Sequence, residues 1–345
     1  MRRSAVEAVC ITNPVSIAYL TGFRSEPHER LMALAVGGGE ATLLLPDLER
    51  ENAERHASGV EVRGWKDGED PFRLLSQLLG RPGRLGVEKE HLTLARWESL
   101  DAPDVLDCGA AIREMRAVKG PDELERMARA AAITDEVTER VIADLRPGLS
   151  EREVAARIEA LMAAAGAEPA FPTIVQSGPN SALPHLPPGG RRLAAGDLVL
   201  MDFGARHEGY DADTSRTVVL GRPSARQVEV HAAVLAAHDA AVAAIQEGVA
   251  CGDVDAAARD VIREAGLAEY FIHRTGHGLG MEAHEEPNLT PGSDRRLQSG
   301  NVVTVEPGVY IPAWGGVRIE DDIVVEPAGA RSLTQAQRNL IVIAV

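Results

Sequence analysis

The sequence predicts a two-domain α+β protein, with a small α/β domain at residues 1–114 and a larger second domain at residues 115–345. Three observations support this prediction. A chain of 345 residues is longer than most single domains. Strand-like and helix-like runs alternate over the first 114 residues. After residue 171, strand-like runs that carry polar residues are interrupted by two long helical patterns.

In the first domain, short apolar runs typical of strands alternate with amphipathic runs typical of helices. This alternation predicts a mostly parallel or mixed sheet. The predicted strands are Ala5–Ile11, Leu31–Val36, Glu40–Leu45 and Arg84–Val87, and the predicted helices are Asp47–Ala57 and Asp70–Leu79. A charged connector at residues 112–123 follows.

The second domain opens with two predicted helices, Asp122–Leu145 and Ser150–Ala164. Ser150 followed by Glu153 is a capping box, which predicts the start of the second helix. Two further helices are predicted at Ser224–Gln246 and Val254–Ala265. No internal repeat is evident by eye.

Composition limits the possible partners and the compartment. The net charge of −16 disfavours nucleic acid and anionic membranes as partners. The three cysteines are widely separated, which predicts free thiols in a reducing cytoplasm. The N-terminus lacks a signal-peptide core, and no run of about 18 apolar residues predicts a membrane span.

The first candidate for a site is a predicted β-hairpin at residues 198–220. Folded about the midpoint between His207 and Glu208, it places Asp202 directly opposite Asp213. Facing carboxylates repel each other, so they require a cation between them or a proton on one of them. The alternative is an acidic turn in solvent, which the flanking apolar residues disfavour.

A second predicted hairpin, at residues 302–325, carries two glutamates. Glu306 and Glu320 are symmetric about Ala313, so their side chains can share one face. A pair of carboxylates buried among valines would attract a cation. The alternative is an edge position with a salt bridge to Arg318.

Histidines are concentrated in a third segment. His273, His277 and His284 fall within twelve residues, and glycines flank His277, so that the backbone can approach a ligand closely there. This density indicates a site. The other histidines outside the motifs are interpreted as surface or core residues: His28, His56, His91, His207, His231 and His238.

Together the three segments supply four carboxylates and a central imidazole. Two divalent cations would balance the carboxylate charge and supply an activated water at neutral pH. This oxygen-rich set suits Mn, Co or Zn. The sequence therefore predicts a two-metal hydrolytic centre.

These segments resemble the pita-bread metallopeptidases, which include aminopeptidase P, prolidase and methionine aminopeptidase. The resemblance extends over nearly the whole chain. It implies a creatinase-like N-terminal domain and a pita-bread (creatinase/aminopeptidase-like) catalytic domain. It rests on five motifs in order: MDFGA with Asp202, DADTSRT with Asp213, GHGLG with His277, TVEPGVY with Glu306 and RIEDD with Glu320.

The resemblance implies that these five residues hold two divalent ions per subunit, with manganese expected first and cobalt or zinc as alternatives. Asp202 would bind one ion through both oxygens, and Asp213 and Glu320 would bridge the two ions. His277 and Glu306 would complete the second ion's ligands. Glu306 would also accept the proton of the attacking water.

Further roles follow from the same resemblance. His284 would support the tetrahedral intermediate, and His185 would bind substrate and assist catalysis. His273 would line the proline pocket. Tyr310 and Arg318 would support the ligands and the bound substrate. Ser215 stands where the family usually has threonine, and its hydroxyl is retained.

The N-terminal domain and its segment Tyr19–Phe23 resemble the proline-specific branch, which implies hydrolysis of Xaa-Pro bonds. A dipeptidase needs a cation for the free carboxylate of proline. Asn288 stands where many prolidases have that arginine. Arg24 or Arg30 of the partner subunit is a hypothetical substitute, and the compact chain favours a dipeptidase.

Two alternatives stay open. An aminopeptidase P would release the N-terminal residue from longer peptides, and a non-catalytic binding scaffold would use the same fold without metal. The expected partners are short proline-containing peptides and a second copy of the chain in a homodimer, with no nucleic acid and no membrane.

Overall fold

The chain divides into two compact units, residues 1–116 and 117–345. The computed structural model describes residues 6–100 and 104–345, so the first residue of the predicted strand Ala5–Ile11 lies outside the described residues. None of the described helices combines the length and apolar character needed to cross a membrane.

The first unit is built on a six-stranded mixed sheet with the order β4-β3-β2-β1-β5-β6. Its strands are β1 (Ala8–Ile11), β2 (Ala33–Gly37), β3 (Glu40–Pro46), β4 (Glu61–Trp65), β5 (Leu85–Val87) and β6 (Val105–Asp107). Its helices are α1 (Pro14–Thr21), α2 (Arg50–His56), α3 (Pro71–Leu79), α4 (Leu94–Glu98) and α5 (Gly109–Ala117). The pairs β1–β2 and β2–β3 are antiparallel, and the pairs β1–β5, β3–β4 and β5–β6 are parallel. The predicted mixed sheet is therefore confirmed.

Sequence patterns missed α1, β4, α4, β6 and α5 in this unit. Helix α1 has only eight residues, which is too short for a clear periodicity. Its ends are marked instead by caps. The Asn13 side chain accepts a hydrogen bond from the Val15 N–H, and Gly22 ends the helix with a φ of 80°. Helix α5 occupies part of the predicted charged connector.

The second unit contains four long helices and several small sheets. The helices are α6 (Pro121–Asp144), α7 (Glu151–Ala164), α8 (Ala225–Ala244) and α9 (Cys251–Glu264). The first strands are β7 (Glu168–Pro169), β8 (Ile174–Ser177), β9 (Leu198–Phe203), β10 (Ala205–His207), β11 (Tyr210–Asp211) and β12 (Thr214–Leu220). The later strands are β13 (Gly276–Gly278), β14 (Glu285–Leu289), β15 (Val302–Val305), β16 (Gly308–Ile311), β17 (Gly315–Arg318), β18 (Asp321–Glu326), β19 (Gly329–Ser332) and β20 (Val342–Ile343).

All four predicted helices of this unit are confirmed to within a few residues. The capping box at α7 is also confirmed, because Ser150 Oγ accepts from the Glu153 N–H at 3.2 Å while the Ser150 N–H donates to Glu153 Oε2 at 2.7 Å. Such reciprocal bonds satisfy donors that a helix start leaves open.

The second unit contains an internal repeat that sequence inspection missed. Before α7, the Gly148 N–H donates to Leu193 O at 2.8 Å. Before α9, the Gly248 N–H donates to Leu297 O, also at 2.8 Å. Both glycines have positive φ, which L residues rarely adopt. The two halves therefore use the same connection between a helix pair and a sheet.

This repeat places acids at equivalent positions. Glu306 follows Asp202 by the same number of residues as Leu297 follows Leu193. The detectable signal was RRLAAGD at residues 191–197 against RRLQSGN at residues 295–301. Two segments of that similarity, each followed by a strand and an acid, predict a duplicated half-domain.

Each half has its own apolar core. Helices α6 and α7 pack on the sheet of β20, β12, β9 and β8, through side chains such as Ile158 and Met201. Helices α8 and α9 contribute Val234 and Ala258 to a core with β15 and β18. Burial of this aliphatic surface stabilises the strands at about 25 cal/mol per Å². The strands that carry the acids are thus held by cores on both sides of the site.

Candidate metal centre

The first acidic pair lies on the hairpin of β9 to β12. Strand β9 pairs with β12 so that Asp202 is opposite Ser215, and the tight turn is centred on Glu208 and Gly209, which both have positive φ. The predicted direct pairing of Asp202 with Asp213 is therefore wrong by one step. A two-residue turn with positive φ at both positions matches the twist of the strands. The midpoint of the hairpin therefore lies between Glu208 and Gly209, one residue later than predicted. Asp213 lies diagonally across on the same face.

The second acidic pair keeps its predicted symmetry. In the ladders β15–β18 and β16–β17, residues equidistant from Ala313 are partners, and Ala313 itself turns with a φ of 61°. Glu306 follows β15 and Glu320 precedes β18, at matching positions. Glu320 is 1% exposed, so the alternative of a solvent-exposed edge position is wrong for it.

The third segment contributes His277 from the short strand β13. A Cβ on Gly276 would meet Thr304 O at 1.8 Å, so only glycine lets β13 approach β15 this closely. The His277 N–H donates to Thr304 Oγ1 at 3.0 Å. Its Nε2 lies 3.2 Å from Glu306 Oε1 and 3.9 Å from Asp213 Oδ2.

The residues from these three segments converge. One ligand atom each from Asp213, His277 and Glu320 lie within 4.8 Å of one another, and all three residues are buried. Within the described part of the chain, the buried Oδ1 atoms of Asp202 and Asp213 have no hydrogen-bond partner. Buried oxygens without donors are costly unless a cation satisfies them.

Electrostatics also favours a cation. Burial, reinforced by the charges of Glu320 and Asp202, raises the pKa of Asp213 well above its usual range. Burial and the charges of Glu306 and Asp202 likewise raise the pKa of Glu320. Several carboxylates and one imidazole around a small volume fit divalent ions that prefer oxygen and nitrogen ligands.

Glu306 behaves differently from the other acids. Burial raises its pKa, but the hydrogen bond and the charge of His277 outweigh burial and hold the pKa at about 2. Its Oε1 also accepts a hydrogen bond from Thr304 Oγ1 at 3.2 Å. Glu306 is therefore an ionised carboxylate at neutral pH.

A buried chain of polar groups supports the acids. Arg318 donates through Nη2 to Asp202, through Nε to Ser215 Oγ at 2.8 Å and through Nη1 to the Tyr310 hydroxyl at 2.7 Å. The Ser215 hydroxyl in turn donates to Glu320 Oε2 at 2.7 Å. The predicted alternative, a salt bridge from Arg318 to a glutamate, is wrong because its carboxylate partner is Asp202.

Tyr310 links this chain to His273. His273 Nδ1 lies 2.7 Å from Arg274 O, which can only accept, so Nδ1 carries the proton. Burial lowers the pKa of His273, and its neutral Nε2 accepts from the Tyr310 hydroxyl at 2.9 Å. Tyr310 is buried behind the cavity wall, with a pKa raised by burial to about 12.

The acids and histidines open into one cavity of about 670 Å³. Its polar lining includes His185, His273, His284 and Arg274. Much of the remaining wall is apolar: Phe171, Pro172, Ile174, Pro184, Pro187 and Pro188. This volume is in the range of small-molecule sites.

His284 lies beside His277, with ring centroids 4.3 Å apart. Burial lowers the pKa of His284 to about 4, with contributions from the charges of His277 and Arg274. His284 is therefore neutral at pH 7, and one ring nitrogen carries a proton. His185 is exposed at the cavity wall.

Sequence reasoning missed one charged residue of the cavity, Arg274. It directly follows His273 in the chain, and no sequence pattern singles it out. The arginines proposed as carboxylate anchors lie in the first unit, where Arg30 pairs with Asp67 at 3.2 Å.

Comparison with known proteins agrees with this geometry. Residues 125–327 match metallopeptidase family M24, and residues 1–118 match the creatinase/prolidase N-terminal domain. An uncharacterized peptidase of Staphylococcus aureus strain MW2 is 38% identical over 98% of this chain and 97% of its own length.

Two solved structures are similar over nearly their full lengths. An Xaa-Pro dipeptidase from Bacillus anthracis has a TM-score of 0.93 at 34% identity, covering 99% of this chain and 96% of its own. An X-Pro aminopeptidase from Thermotoga maritima has a TM-score of 0.90 at 31% identity, covering 99% of both chains. The predicted fold class is thereby confirmed.

Proposed function

Because this chain belongs to metallopeptidase family M24, we propose that it hydrolyses the peptide bond before proline and that its substrates are Xaa-Pro dipeptides. Family membership implies divalent metal ions. The observation that carries the proposal is a single cavity in which a carboxylate and histidine cluster adjoins an apolar wall suited to a prolyl ring. Similar solved structures from Bacillus anthracis and Thermotoga maritima are described as acting on Xaa-Pro substrates.

The proposed ligands of two divalent ions per subunit are Asp202, Asp213, His277, Glu306 and Glu320. Manganese is the first choice, and cobalt or zinc are alternatives. The unpartnered oxygens of Asp202 and Asp213 support this assignment. When bound, the ions supply an activated water and stabilise negative charge on the substrate oxygen.

Glu306 is the proposed general base. Its carboxylate is ionised at neutral pH, since its pKa is held at about 2. It accepts one proton from the attacking water. As the carbon–nitrogen bond breaks, the same proton passes to the prolyl nitrogen, which leaves as a secondary amine.

The histidines are proposed to bind and orient the peptide. Neutral His284 donates a hydrogen bond to the peptide oxygen as negative charge develops there. His185 contacts substrate from the cavity wall and assists His284. His273 lines the proline pocket, and the hydrogen bonds of Tyr310 and Arg318 fix its orientation.

The test compares metal-stripped protein with protein reloaded with Mn, Co or Zn, using Ala-Pro, Ala-Pro-Ala and Ala-Ala. We expect metal-dependent cleavage of Ala-Pro and none of Ala-Ala. Glu306→Gln should lower kcat by about 10²-fold or more, because the base and one proposed metal ligand are lost together. The exposed Glu269→Gln is the matched control. Ala-Ala cleavage at the Ala-Pro rate would refute proline specificity.

Aminopeptidase P is the second candidate, because the likeness to the Thermotoga maritima structure is nearly as strong as that to the dipeptidase. Cleavage of Ala-Pro-Ala at or above the Ala-Pro rate would establish it. A stable protein that binds no metal and cleaves neither peptide would be a binding scaffold.

The proposal includes the organisation of the protein. We assign residues 1–114 to a creatinase-like N-terminal domain and residues 115–345 to the catalytic domain. The unit boundary after Arg116 and the family match over residues 1–118 support this division. A cytoplasmic homodimer is expected, and sedimentation analysis would measure the oligomeric state.

A further inference from the structure

Arg274 is a charged residue of the catalytic cavity with no role in the scheme above. It is half-buried and lines the same cavity as His273 and His284. The neighbours on both sides are fixed. The Arg274 carbonyl accepts from His273 Nδ1 at 2.7 Å, and Thr275 donates through its N–H and its hydroxyl to Asp255 Oδ1, at 3.0 and 2.9 Å. The Arg274 backbone is therefore held rigidly at the cavity wall.

The guanidinium of Arg274 has no carboxylate within ion-pair distance in the described part of the chain. The cavity acids have other neighbours. Asp202 pairs with Arg318, and Glu306 lies beside His277. Asp213 and Glu320 belong to the proposed metal cluster.

Arg318 also lines the cavity, but the donors of its guanidinium already have acceptors. Its donors are used on Asp202, Ser215 and Tyr310, and it is 3% exposed. Among the described residues, Arg274 has no comparable set of acceptors. A half-buried arginine with free donors in a substrate cavity is suited to bind an anion that arrives with the substrate.

We propose that Arg274 binds the C-terminal carboxylate of an Xaa-Pro dipeptide and thereby selects dipeptides over longer peptides. This inference rests on the proposed Xaa-Pro peptidase activity. It also supplies a carboxylate anchor within the same unit as the metal centre, where Asn288 replaces the expected arginine.

The chemistry favours the terminal carboxylate as the ligand. In an Xaa-Pro dipeptide the carboxylate is attached to the prolyl ring, directly beside the scissile bond. His273 precedes Arg274 in the chain, and both line the cavity, so an occupant near one is within reach of the other. In a longer peptide a neutral amide replaces the carboxylate and forfeits the charge-assisted bond.

Arg274 and His284 line the same cavity. The charge of Arg274 is one of the causes that lower the pKa of His284, after burial and the charge of His277. The guanidinium therefore lies near the histidine proposed to contact the peptide oxygen.

The experiment uses Arg274→Gln and Arg274→Lys in the metal-loaded enzyme. Arg222→Gln is the matched control, because Arg222 is exposed and follows β12 at the end remote from Asp213. The substrates are Ala-Pro and alanyl-prolinamide, which differ only in the carboxylate. Binding of L-proline and L-prolinamide is measured by calorimetry, so that one readout is independent of turnover.

For Arg274→Gln we expect kcat/KM for Ala-Pro to fall roughly 10- to 100-fold, mainly through KM, as for loss of a charged hydrogen bond. Cleavage of alanyl-prolinamide should change less than about threefold. Binding of L-proline should weaken by a similar factor, with L-prolinamide unaffected. Arg274→Lys should retain part of the preference, and Arg222→Gln all of it.

Equal losses for acid and amide would overturn the inference, because they indicate a general effect through His284. An unchanged enzyme would overturn it as well. A selective loss of Asp-Pro over Ala-Pro, with the acid-to-amide ratio preserved, would show that Arg274 reads an acidic side chain instead. If the wild-type protein cleaves no Xaa-Pro peptide, the proposed function fails, whereas the proline-binding comparison still decides the role of Arg274.

Discussion

Replacing Arg216 with methionine should destabilise the second unit more than any surface arginine does. Arg216 is 2% exposed and is the largest fully buried side chain among the described residues. Its Nη2 donates to Asp321 Oδ1 at 2.8 Å, and its Nη1 donates to Ser215 O at 3.0 Å and to Glu320 O. It therefore ties β12 to the residue that carries one of the proposed bridging carboxylates.

The same guanidinium reaches the C-terminal segment. Its Nη2 donates to Ala336 O at 2.7 Å and its Nε to Gln337 O at 3.0 Å. Methionine fills similar volume but satisfies none of these acceptors. Removing one partner of a buried ion pair costs about 3–5 kcal/mol. For a unit of this size that corresponds to a fall in Tm of about 10 °C.

Arg338→Met is the matched control. Arg338 also donates to Asp321, but its side chain is 33% exposed and solvent screens the pair. Its loss should cost about 1 kcal/mol or less. Scanning calorimetry of chelator-treated protein measures both variants without a contribution from bound metal. Equal Tm changes in the two variants, or a change of less than about 3 °C for Arg216→Met, would refute the reasoning.

Three further predictions concern the metal centre and the core. Stripping the divalent ions should abolish activity. Rebinding of the ions should release protons, because burial and neighbouring carboxylates raise the pKa of Asp213 and Glu320 in the metal-free protein. Calorimetry in two buffers of different ionisation enthalpy measures the proton release, and a binding enthalpy that is the same in both buffers would contradict the prediction. Burial and the charge of Arg216 lower the pKa of His231 from 6.5 to about 4. The folded state therefore holds His231 as a neutral side chain, and its contribution to stability is complete above about pH 6.5. That contribution is lost as the pH falls toward 4, because the unfolded chain binds a proton there and the folded state does not. His231→Phe should accordingly flatten the fall of Tm over this range by the equivalent of about 3 kcal/mol, and an unchanged pH profile would show that another group is responsible. Gly276→Ala should weaken metal binding at least tenfold or prevent folding, since its Cβ would meet Thr304 O at 1.8 Å. Gly190→Ala is the control, because the space around its Cβ is open. Normal metal binding by both variants would contradict the steric argument.

Local patterns predicted much of this protein correctly. The helix at residues 151–164 was predicted from Ser150 and Glu153, because a capping box depends only on neighbours in the chain. The symmetry of Glu306 and Glu320 about Ala313 followed from counting along one hairpin. Five acid and histidine motifs in the right order indicated the family, since each motif carries its own local context.

Other features depend on contacts between distant segments. The one-step error for Asp202 and Asp213 arose because the turn at residues 208–209 was chosen by strand twist, which residue counting does not include. The two segments RRLAAGD and RRLQSGN are similar in sequence, but the matching hydrogen bonds of Gly148 and Gly248 show that they make equivalent connections in the two halves.

The sequence by itself therefore determined the fold class and the family, and it supplied the chemical types of the proposed site residues, because these depend on periodicity, composition and short motifs. Only the tertiary structure decided which groups share the cavity and which are already paired. Arg318 and Arg274 are both arginines near histidines and acids in the sequence. Folding gives Arg318 a buried set of acceptors and leaves Arg274 at the cavity wall. That difference is set by packing between elements far apart in the chain, and no local pattern encodes it.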